Sequence, residues 1–195
     1  MGRKAGITIN DVVNAAVDLA NRDGLDSLTL AAVASDLGVR SPSLYNHVDG
    51  LEGLGRELTL RANQVLREIL HSETDGREGA DALRGIAHGY RRFAHEHPGL
   101  FACLVSGKDL RSDPEVWQAV LETMTPFAAA VESLGYAGDD NWEVMRLLRS
   151  SLYGFLTLEL QQSFAYRHLD PSESYDRLVE VMLAGLRDVT FPGES

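Results

Sequence analysis

The sequence predicts an all-α fold of about nine helices, with three in a small N-terminal domain and the rest in a larger helical domain. Apolar residues recur at three- and four-residue spacings, which is the period of an amphipathic α-helix. No stretch shows the strict alternation of apolar and polar residues that is typical of a strand. The predicted helices span residues 8–22, 29–36, 41–47, 51–72, 79–97, 99–106, 113–135, 140–167 and 172–190.

The first helix begins in the segment TINDVV. Thr8 can accept a hydrogen bond at the helix N-terminus, and Asp11, three residues later, completes a capping box. Gly24 ends this unit, because glycine readily adopts the backbone conformations that close a helix. One apolar face is formed by Val12, Ala16 and Leu19. We expect this helix to pack on a core as scaffold.

The second helix, in LTLAAVASDLGV, leads into a tight turn. Thr29 is its predicted N-cap, and Gly38 supplies the left-handed turn residue. Its buried stripe is predicted to contain Val33, Ala34 and Leu37.

The third helix, in SPSLYNHV, is short and mostly polar. Ser41 is its predicted N-cap and Pro42 its first residue, where the missing N–H costs no hydrogen bond. Only Leu44 and Val48 need to face inward. A helix, a glycine turn and a second short helix of this kind form a helix-turn-helix.

Five polar side chains remain for the outer face of the third helix: Ser41, Ser43, Tyr45, Asn46 and His47. Their donors and acceptors suit base edges and phosphates in a DNA major groove. The alternative is a short surface helix without functional consequence.

The segment GLDSLTLAAVASDLGVRSPSLYNHVDGLEGL resembles the DNA-binding segment of the TetR family of bacterial transcriptional repressors, and the match covers about residues 7–55. The resemblance implies a helix-turn-helix DNA-binding domain in residues 1–50 and an effector-binding and dimerisation domain in residues 51–195. It also implies a homodimer that binds a palindromic double-stranded operator and is released from DNA by a small-molecule effector.

The resemblance assigns DNA contacts by position. These fall on Thr29, Arg40, Ser41, Ser43, Tyr45, Asn46 and His47, with Tyr45 also placing its ring inward. Basic residues that many family members carry after the threonine and at the start of the fourth helix are absent, since the chain reads LAA (30–32) and DGLEG (49–53) there. Phosphate neutralisation then rests on Arg3, Lys4, Arg40 and helix N-termini, which predicts a shallow dependence of DNA affinity on salt.

The segments YRRFAHEHPGLFACLV and LRSSLYGFLTLELQQ resemble a type of TetR C-terminal domain that carries Trp, His and Gly on a late helix. Arg149, Tyr153 and Gly154 occupy those places, and only the glycine is kept. Gly154 indicates either close helix packing or space for a ligand.

Aromatic and soft side chains concentrate in the middle of this domain. The predicted effector-binding residues are Tyr90, Phe93, Phe101, Trp117, Met124, Phe127, Arg149 and Tyr153. Pro126 is expected to kink its helix and so to open a void. Arg149 either orients an acidic or carbonyl group of the effector or bridges to an acid on a neighbouring helix. Many of these residues also serve as ordinary core.

The last two helices carry apolar faces that include Leu147, Leu152, Leu156, Val179 and Leu183. Two such faces from each of two chains would form a four-helix bundle. The alternative is burial within one chain, and the family resemblance favours the dimer.

Composition limits the remaining functions. The chain has 195 residues and a net charge of −11, and most of the acidity lies after residue 70. The longest apolar run is LFACLV, and no apolar segment follows the N-terminus, so we expect a cytoplasmic protein without membrane association. The single cysteine, Cys103, excludes an internal disulfide and a thiolate zinc site.

Rival functions are not supported by motifs. In the segment HEH (95–97) the two imidazoles lie on different sides of a helix, unlike the spacing that binds zinc. No phosphate-binding loop or nucleophile elbow occurs, so we expect no enzyme activity, no metal and no cofactor. The remaining alternative is a helical dimeric adaptor or ligand-sequestering protein that has lost specific DNA binding, which the acidic charge keeps open.

Overall fold

The computed structural model describes residues 6–106, 112–164 and 169–186. These residues form eight α-helices and two 3₁₀ helices and contain no strand, which confirms the all-α prediction. The α-helices are α1 (Ile9–Asp23), α2 (Leu30–Asp36), α3 (Gly50–Thr74), α4 (Gly79–Glu96), α5 (Pro98–Val105), α6 (Pro114–Glu132), α7 (Gly138–Leu160) and α8 (Pro171–Leu186). The 3₁₀ helices are Leu25–Ser27 and Ser41–Asn46.

The chain divides into two compact units. The first unit contains residues 1–65 and 96–120, and the second contains residues 66–95 and 121–195. The first unit therefore combines the helix-turn-helix segment with α5 and the start of α6.

Helix α1 begins at the predicted capping box. The Thr8 side chain accepts a hydrogen bond from the Asp11 backbone N–H at 3.2 Å, and the Thr8 backbone N–H donates to the Asp11 carboxylate at 2.7 Å. These bonds hold the pKa of Asp11 below its usual value. The predicted apolar face of α1 is buried.

The turn after α2 has the predicted glycine geometry. Thr29 caps α2 by accepting a hydrogen bond from the Ala32 N–H at 3.1 Å. Gly38 has a φ of +65°, in the left-handed region, and the Val39 N–H donates to the Ala34 carbonyl at 2.9 Å. Leu37 is half-buried instead of buried as predicted, because it lies at the helix end where the chain turns away.

Helix α5 packs against α1 at a glycine. The Gly99 N–H donates to the Asn21 side-chain oxygen at 2.9 Å. A Cβ at Gly99 would lie 2.5 Å from the Ala20 carbonyl carbon and 2.6 Å from the Ala20 Cβ. The two helix backbones can therefore approach this closely only because residue 99 has no side chain.

The second unit is held by an apolar core and by ion pairs between helices. Tyr175 of α8 is fully buried, and its hydroxyl donates to the Ala87 carbonyl of α4 at 2.7 Å. The carboxylate of Glu159, which is almost completely buried, accepts hydrogen bonds from Arg91 at 2.6 Å and lies 3.0 Å from His95 Nε2. These contacts join α4 to α7.

Helix α7 ends earlier than predicted. The α-helix stops at Leu160, and Gln162 follows in the left-handed region with a φ of +56°. Residues 165–167 of the predicted helix, and residues 187–190 of the last one, lie outside the described residues. Helix α6 continues through Pro126.

Candidate nucleic-acid interface and aromatic cluster

The side chains predicted to contact DNA bases lie on the 3₁₀ helix Ser41–Asn46, which we call the recognition segment. Leu44 is completely buried and Val48 nearly so, as predicted. The Leu44 carbonyl accepts hydrogen bonds from the His47 N–H at 2.9 Å and the Val48 N–H at 3.0 Å. Leu44 thus anchors the recognition segment through both its side chain and its backbone.

The recognition segment is a 3₁₀ helix, so the prediction of an α-helix was wrong in type although right in place. Its backbone bonds join residues three apart, such as the Ser43 N–H to the Arg40 carbonyl at 2.9 Å. Six residues with proline near the start are too few to propagate an α-helix, and the tighter 3₁₀ turn is typical of such short connections.

Polar side chains cover the outside of the recognition segment. Tyr45 and Asn46 are exposed, whereas Ser41, Ser43 and His47 are half-buried. The expectation of an inward Tyr45 ring is wrong, since this side chain is 63% exposed. A 3₁₀ turn of three residues rotates Tyr45 by about 120° from Leu44, which carries the ring away from the core.

Arg40 is the exposed cation closest in sequence to the recognition segment. No carboxylate among the described residues lies within 4 Å of its guanidinium, whereas Arg22 pairs with Asp23 and Arg56 with Asp113. Thr29 is exposed while its side-chain oxygen caps α2. The predicted residues Arg3 and Lys4 lie outside the described residues.

Five of the eight predicted effector-binding residues meet in the second unit, and we call them the Tyr90 cluster. The ring of Tyr90 lies edge-on to Tyr153 and Phe127, with centroid distances of 5.5 and 6.4 Å. The Tyr90 hydroxyl donates to the Met124 sulfur at 4.0 Å. The guanidinium carbon of Arg149 lies 4.9 Å from the centre of the Tyr153 ring. Phe93 is fully buried in the same unit.

Burial raises the pKa of both the Tyr90 and the Tyr153 hydroxyl, and the positive charge of Arg149 opposes that rise. Both phenols therefore stay neutral and can donate hydrogen bonds. Among the described residues no carboxylate lies within 4 Å of Arg149, so the alternative of a bridge to an acid on a neighbouring helix finds no support there.

Phe101 and Trp117 belong to the first unit. Phe101 is buried on α5, but Trp117 is exposed. The buried stripe of α6 runs through Val116, Val120, Met124 and Phe127. On an α-helix Trp117 lies at the edge of that stripe, only about 20° from Met124, so periodicity alone does not separate it from the buried residues.

The core of the second unit contains a small cavity of about 10 Å³. It lies among side chains of α4, α6, α7 and α8, including Ile86, Phe127, Leu152 and Leu183. This is barely the space of one water. An effector entering this part of the core would have to separate the helices.

Comparisons with known proteins identify the family. The family model described as "Tetracyclin repressor-like, C-terminal domain" matches residues 83–182. The HTH-type transcriptional regulator Rv0681 of Mycobacterium tuberculosis is 34% identical over 160 residues, which is 82% of this chain and 73% of that protein. The HTH-type transcriptional regulator YobS of Bacillus subtilis is 33% identical over 95% of this chain and 96% of its own. The chain belongs to the TetR family of transcriptional regulators.

A solved TetR-family structure has the same fold. The Streptomyces coelicolor TetR family protein ActR, in a crystal structure with (S)-DNPA, superposes with a TM-score of 0.65 at 19% identity, covering 94% of this chain and 98% of ActR.

Within the described part of this TetR-family regulator, no group of three His, Cys, Asp or Glu residues is placed to hold a metal ion. His95 of the HEH segment contacts Glu159. None of the described helices combines the length and apolar character needed to cross a membrane.

An ion-pair network in the first unit was not predicted. Arg56, in the first turns of α3, donates to Asp113 at 2.5 Å and also pairs with Glu115, at the start of α6. The hydrogen bond from Arg56 holds the pKa of Asp113 below its usual value. Because 57 residues separate the partners, no local sequence signal could have revealed the pair.

Proposed function

We propose that this TetR-family regulator is a repressor that binds a palindromic operator as a homodimer and leaves it when a small-molecule effector binds. The observation that carries the DNA-binding part is the recognition segment, in which Leu44 is buried while Tyr45 and Asn46 are exposed.

Each exposed group has a chemical role in this proposal. Asn46 can form two hydrogen bonds with an adenine edge, and Ser43 can contact either groove wall. Tyr45 offers its hydroxyl to a phosphate and its ring to a thymine methyl group. Arg40 and Thr29 hold the neighbouring phosphates and set the register of the segment on the duplex.

Selection of double-stranded DNA from a random pool tests this function. We expect enrichment of an inverted repeat with half-site centres about 34 Å apart, or a multiple of that distance. Asn46→Ala should weaken binding to the selected site about 10-fold or more, because a good side-chain contact with a base contributes about 1–3 kcal/mol. Gln161→Ala, which removes an exposed amide in the second unit, is the control and should bind normally. Failure to enrich any sequence would instead favour the adaptor alternative.

Four residues of the predicted dimer faces are buried within one chain instead: Leu152, Leu156, Val179 and Leu183. The homodimer is therefore proposed from the apolar positions that the last two helices leave exposed. Leu147, Ser151, Gly154 and Leu158 follow one face of α7, and both leucines are more than 40% exposed. On α8, Val181 is 69% exposed beside the exposed Gly185. A Cβ at either glycine would meet nothing within 4 Å in the described chain, which leaves room for close packing by a second copy.

Sedimentation at micromolar concentration tests the dimer. Leu147→Glu should yield monomers, because it places a charge in the apolar face. Leu51→Glu is matched in exposure, at 49% for both residues, and lies in the first unit, so it should leave the dimer intact. A monomeric parent protein would refute the dimer.

The effector site is proposed at the Tyr90 cluster. Support comes from the convergence of aromatic side chains with one cation and from the ligand complex of ActR, which shares the fold. Because the cavity lined by Phe127 of this cluster is only about 10 Å³, a ligand there must stabilise a more open arrangement of the helices. A ligand that binds only that arrangement shifts the population toward it, which is the coupling that release from DNA requires.

A further inference from the structure

The Tyr90 cluster contains a cation without a counter-charge. Arg149 is half-buried on α7, with its guanidinium against the Tyr153 ring. Most arginines of the second unit are paired with acids, as Arg84 is with Glu180, Arg91 with Glu159 and Arg146 with Glu143. Among the described residues Arg149 has no carboxylate within 4 Å. Removing a guanidinium from water without pairing it with an anion is costly, so Arg149 lowers the stability of the ligand-free protein.

The same cluster contains a buried hydroxyl with a poor acceptor. Tyr90 is completely buried, and within the described part of the chain its hydroxyl reaches only the thioether of Met124 at 4.0 Å, a weak acceptor at a long distance. Tyr175, which is equally buried, instead donates to a backbone carbonyl at 2.7 Å. The difference singles out Tyr90 as a donor that still lacks a strong acceptor.

We propose that the effector is a carboxylic acid attached to a flat apolar group, and that its carboxylate binds Arg149 while accepting a hydrogen bond from Tyr90. This inference rests on the proposed effector site and states which chemical class of ligand that site selects. A guanidinium offers two parallel N–H donors that match a carboxylate. The rings of Tyr90, Tyr153 and Phe127 provide edges and faces for an aromatic or otherwise planar body. One anion thereby satisfies both the unpaired charge and the poorly bonded hydroxyl.

Pairs of acids and their neutral amides test the proposal on the full-length protein. Sodium benzoate, phenylacetate and 3-phenylpropionate are compared by calorimetry and thermal unfolding with benzamide, phenylacetamide and 3-phenylpropionamide. We expect at least one acid to raise the Tm and to bind about 10-fold or more tightly than its amide, since the amide keeps the shape but loses the charge. Equal binding of acid and amide, or no binding by any of the three acids, would overturn the proposal.

Variants separate the two donors. Arg149→Met should abolish the difference between acid and amide while leaving the Tm without ligand unchanged or higher, because it removes an uncompensated charge. Tyr90→Phe should weaken acid binding about 10-fold and likewise not lower the Tm. Arg146→Met removes an exposed, paired arginine one turn away and should behave like the parent. Retention of the acid preference in Arg149→Met, or a Tm several degrees lower in that variant, would contradict the argument.

Operator binding is measured on the same proteins without ligand. If the parent binds DNA but no acid is preferred, only the carboxylate proposal fails. If the parent selects no DNA, the proposed repressor function fails, whatever the result with the acids.

Discussion

The contact between α1 and α5 makes Gly99 the position where a single methyl group should disturb the first unit most. In Gly99→Ala the new Cβ would lie 2.5 Å from the Ala20 carbonyl carbon, 2.6 Å from the Ala20 Cβ and 2.7 Å from the Asn21 nitrogen. Two of these atoms belong to backbone, so no side-chain rotation relieves the contacts. Since carbon atoms pack at about 3.5–4.0 Å, α5 would have to move roughly 1 Å away from α1.

The expected cost follows from three contributions. Overpacking of this kind costs about 1–3 kcal/mol or more. Loss of the hydrogen bond from Gly99 N–H to Asn21 adds about 1 kcal/mol, and the better helix propensity of alanine returns about 1 kcal/mol. We therefore expect Gly99→Ala to lower the free energy of unfolding by about 1–3 kcal/mol or more and to weaken operator binding, because α1 supports the helix-turn-helix.

Urea unfolding followed by circular dichroism measures this change. Asn21→Ala is the control that removes the hydrogen bond without adding a methyl group, and it should cost only about 1 kcal/mol. Combining Ala20→Gly with Gly99→Ala should restore part of the stability, because the Cβ contact is relieved and the backbone contact is not. A Gly99→Ala protein as stable as the parent would refute the close approach of these helices.

Three further predictions concern the anchor, salt and pH. Leu44→Ala should lower the free energy of unfolding by about 2–5 kcal/mol and abolish operator binding. Leu51→Ala, at a half-exposed position, should lower it by less than about 1 kcal/mol in urea unfolding. Equal losses in the two variants would contradict the anchoring role of Leu44. Operator affinity measured by fluorescence anisotropy should fall with salt, and the plot of log affinity against log salt concentration should have a slope near −5 for about six neutralised phosphates per dimer. Arg40→Ala should flatten the slope by about 2, whereas Arg22→Ala should leave it unchanged. A slope near −10 for the parent protein would contradict this prediction. Burial raises the pKa of Glu159, but the hydrogen bonds from Arg91 and His95 outweigh this effect, so the pKa is lowered overall. The stabilisation by this carboxylate is therefore present above the unfolded value of about 4.3 and is lost as pH falls through the folded pKa. Glu159→Gln should cost about 1–3 kcal/mol at pH 7 and progressively less as pH falls below the folded pKa; a cost independent of pH would speak against the ion pair, and Glu143→Gln is the more exposed control.

Helix positions were predictable because their ends carry local signals. Each of these signals involves residues at most four apart in the sequence. They are the Thr8 capping box, the Thr29 cap, Gly38 in its left-handed turn and the prolines at the starts of α5, α6 and α8. Burial of Leu44 and Val48 followed from the small number of apolar residues available in that stretch.

Other features depend on contacts that no local pattern contains. The 3₁₀ form of the recognition segment is held by bonds such as Ser43 N–H to the Arg40 carbonyl, and the exposure of the Tyr45 ring depends on how the segment packs on its neighbours. The close approach at Gly99 and the pairing of Arg56 with Asp113 join residues far apart in the chain. The sequence left two alternatives for Arg149, and choosing between them required knowing which acids lie near it among the described residues.

The 3₁₀ geometry of Ser41–Asn46 limits how much sequence one protomer can read. At about 2.0 Å rise per residue the six residues span roughly 12 Å, which corresponds to three or four stacked base pairs. Residues three apart are aligned along a 3₁₀ helix, so Pro42 with Tyr45 and Ser43 with Asn46 form two short parallel rows. In the proposed complex so short a segment distinguishes few nucleotides by direct contact, and the spacing of the two half-sites and the bendability of the DNA between them add to the discrimination.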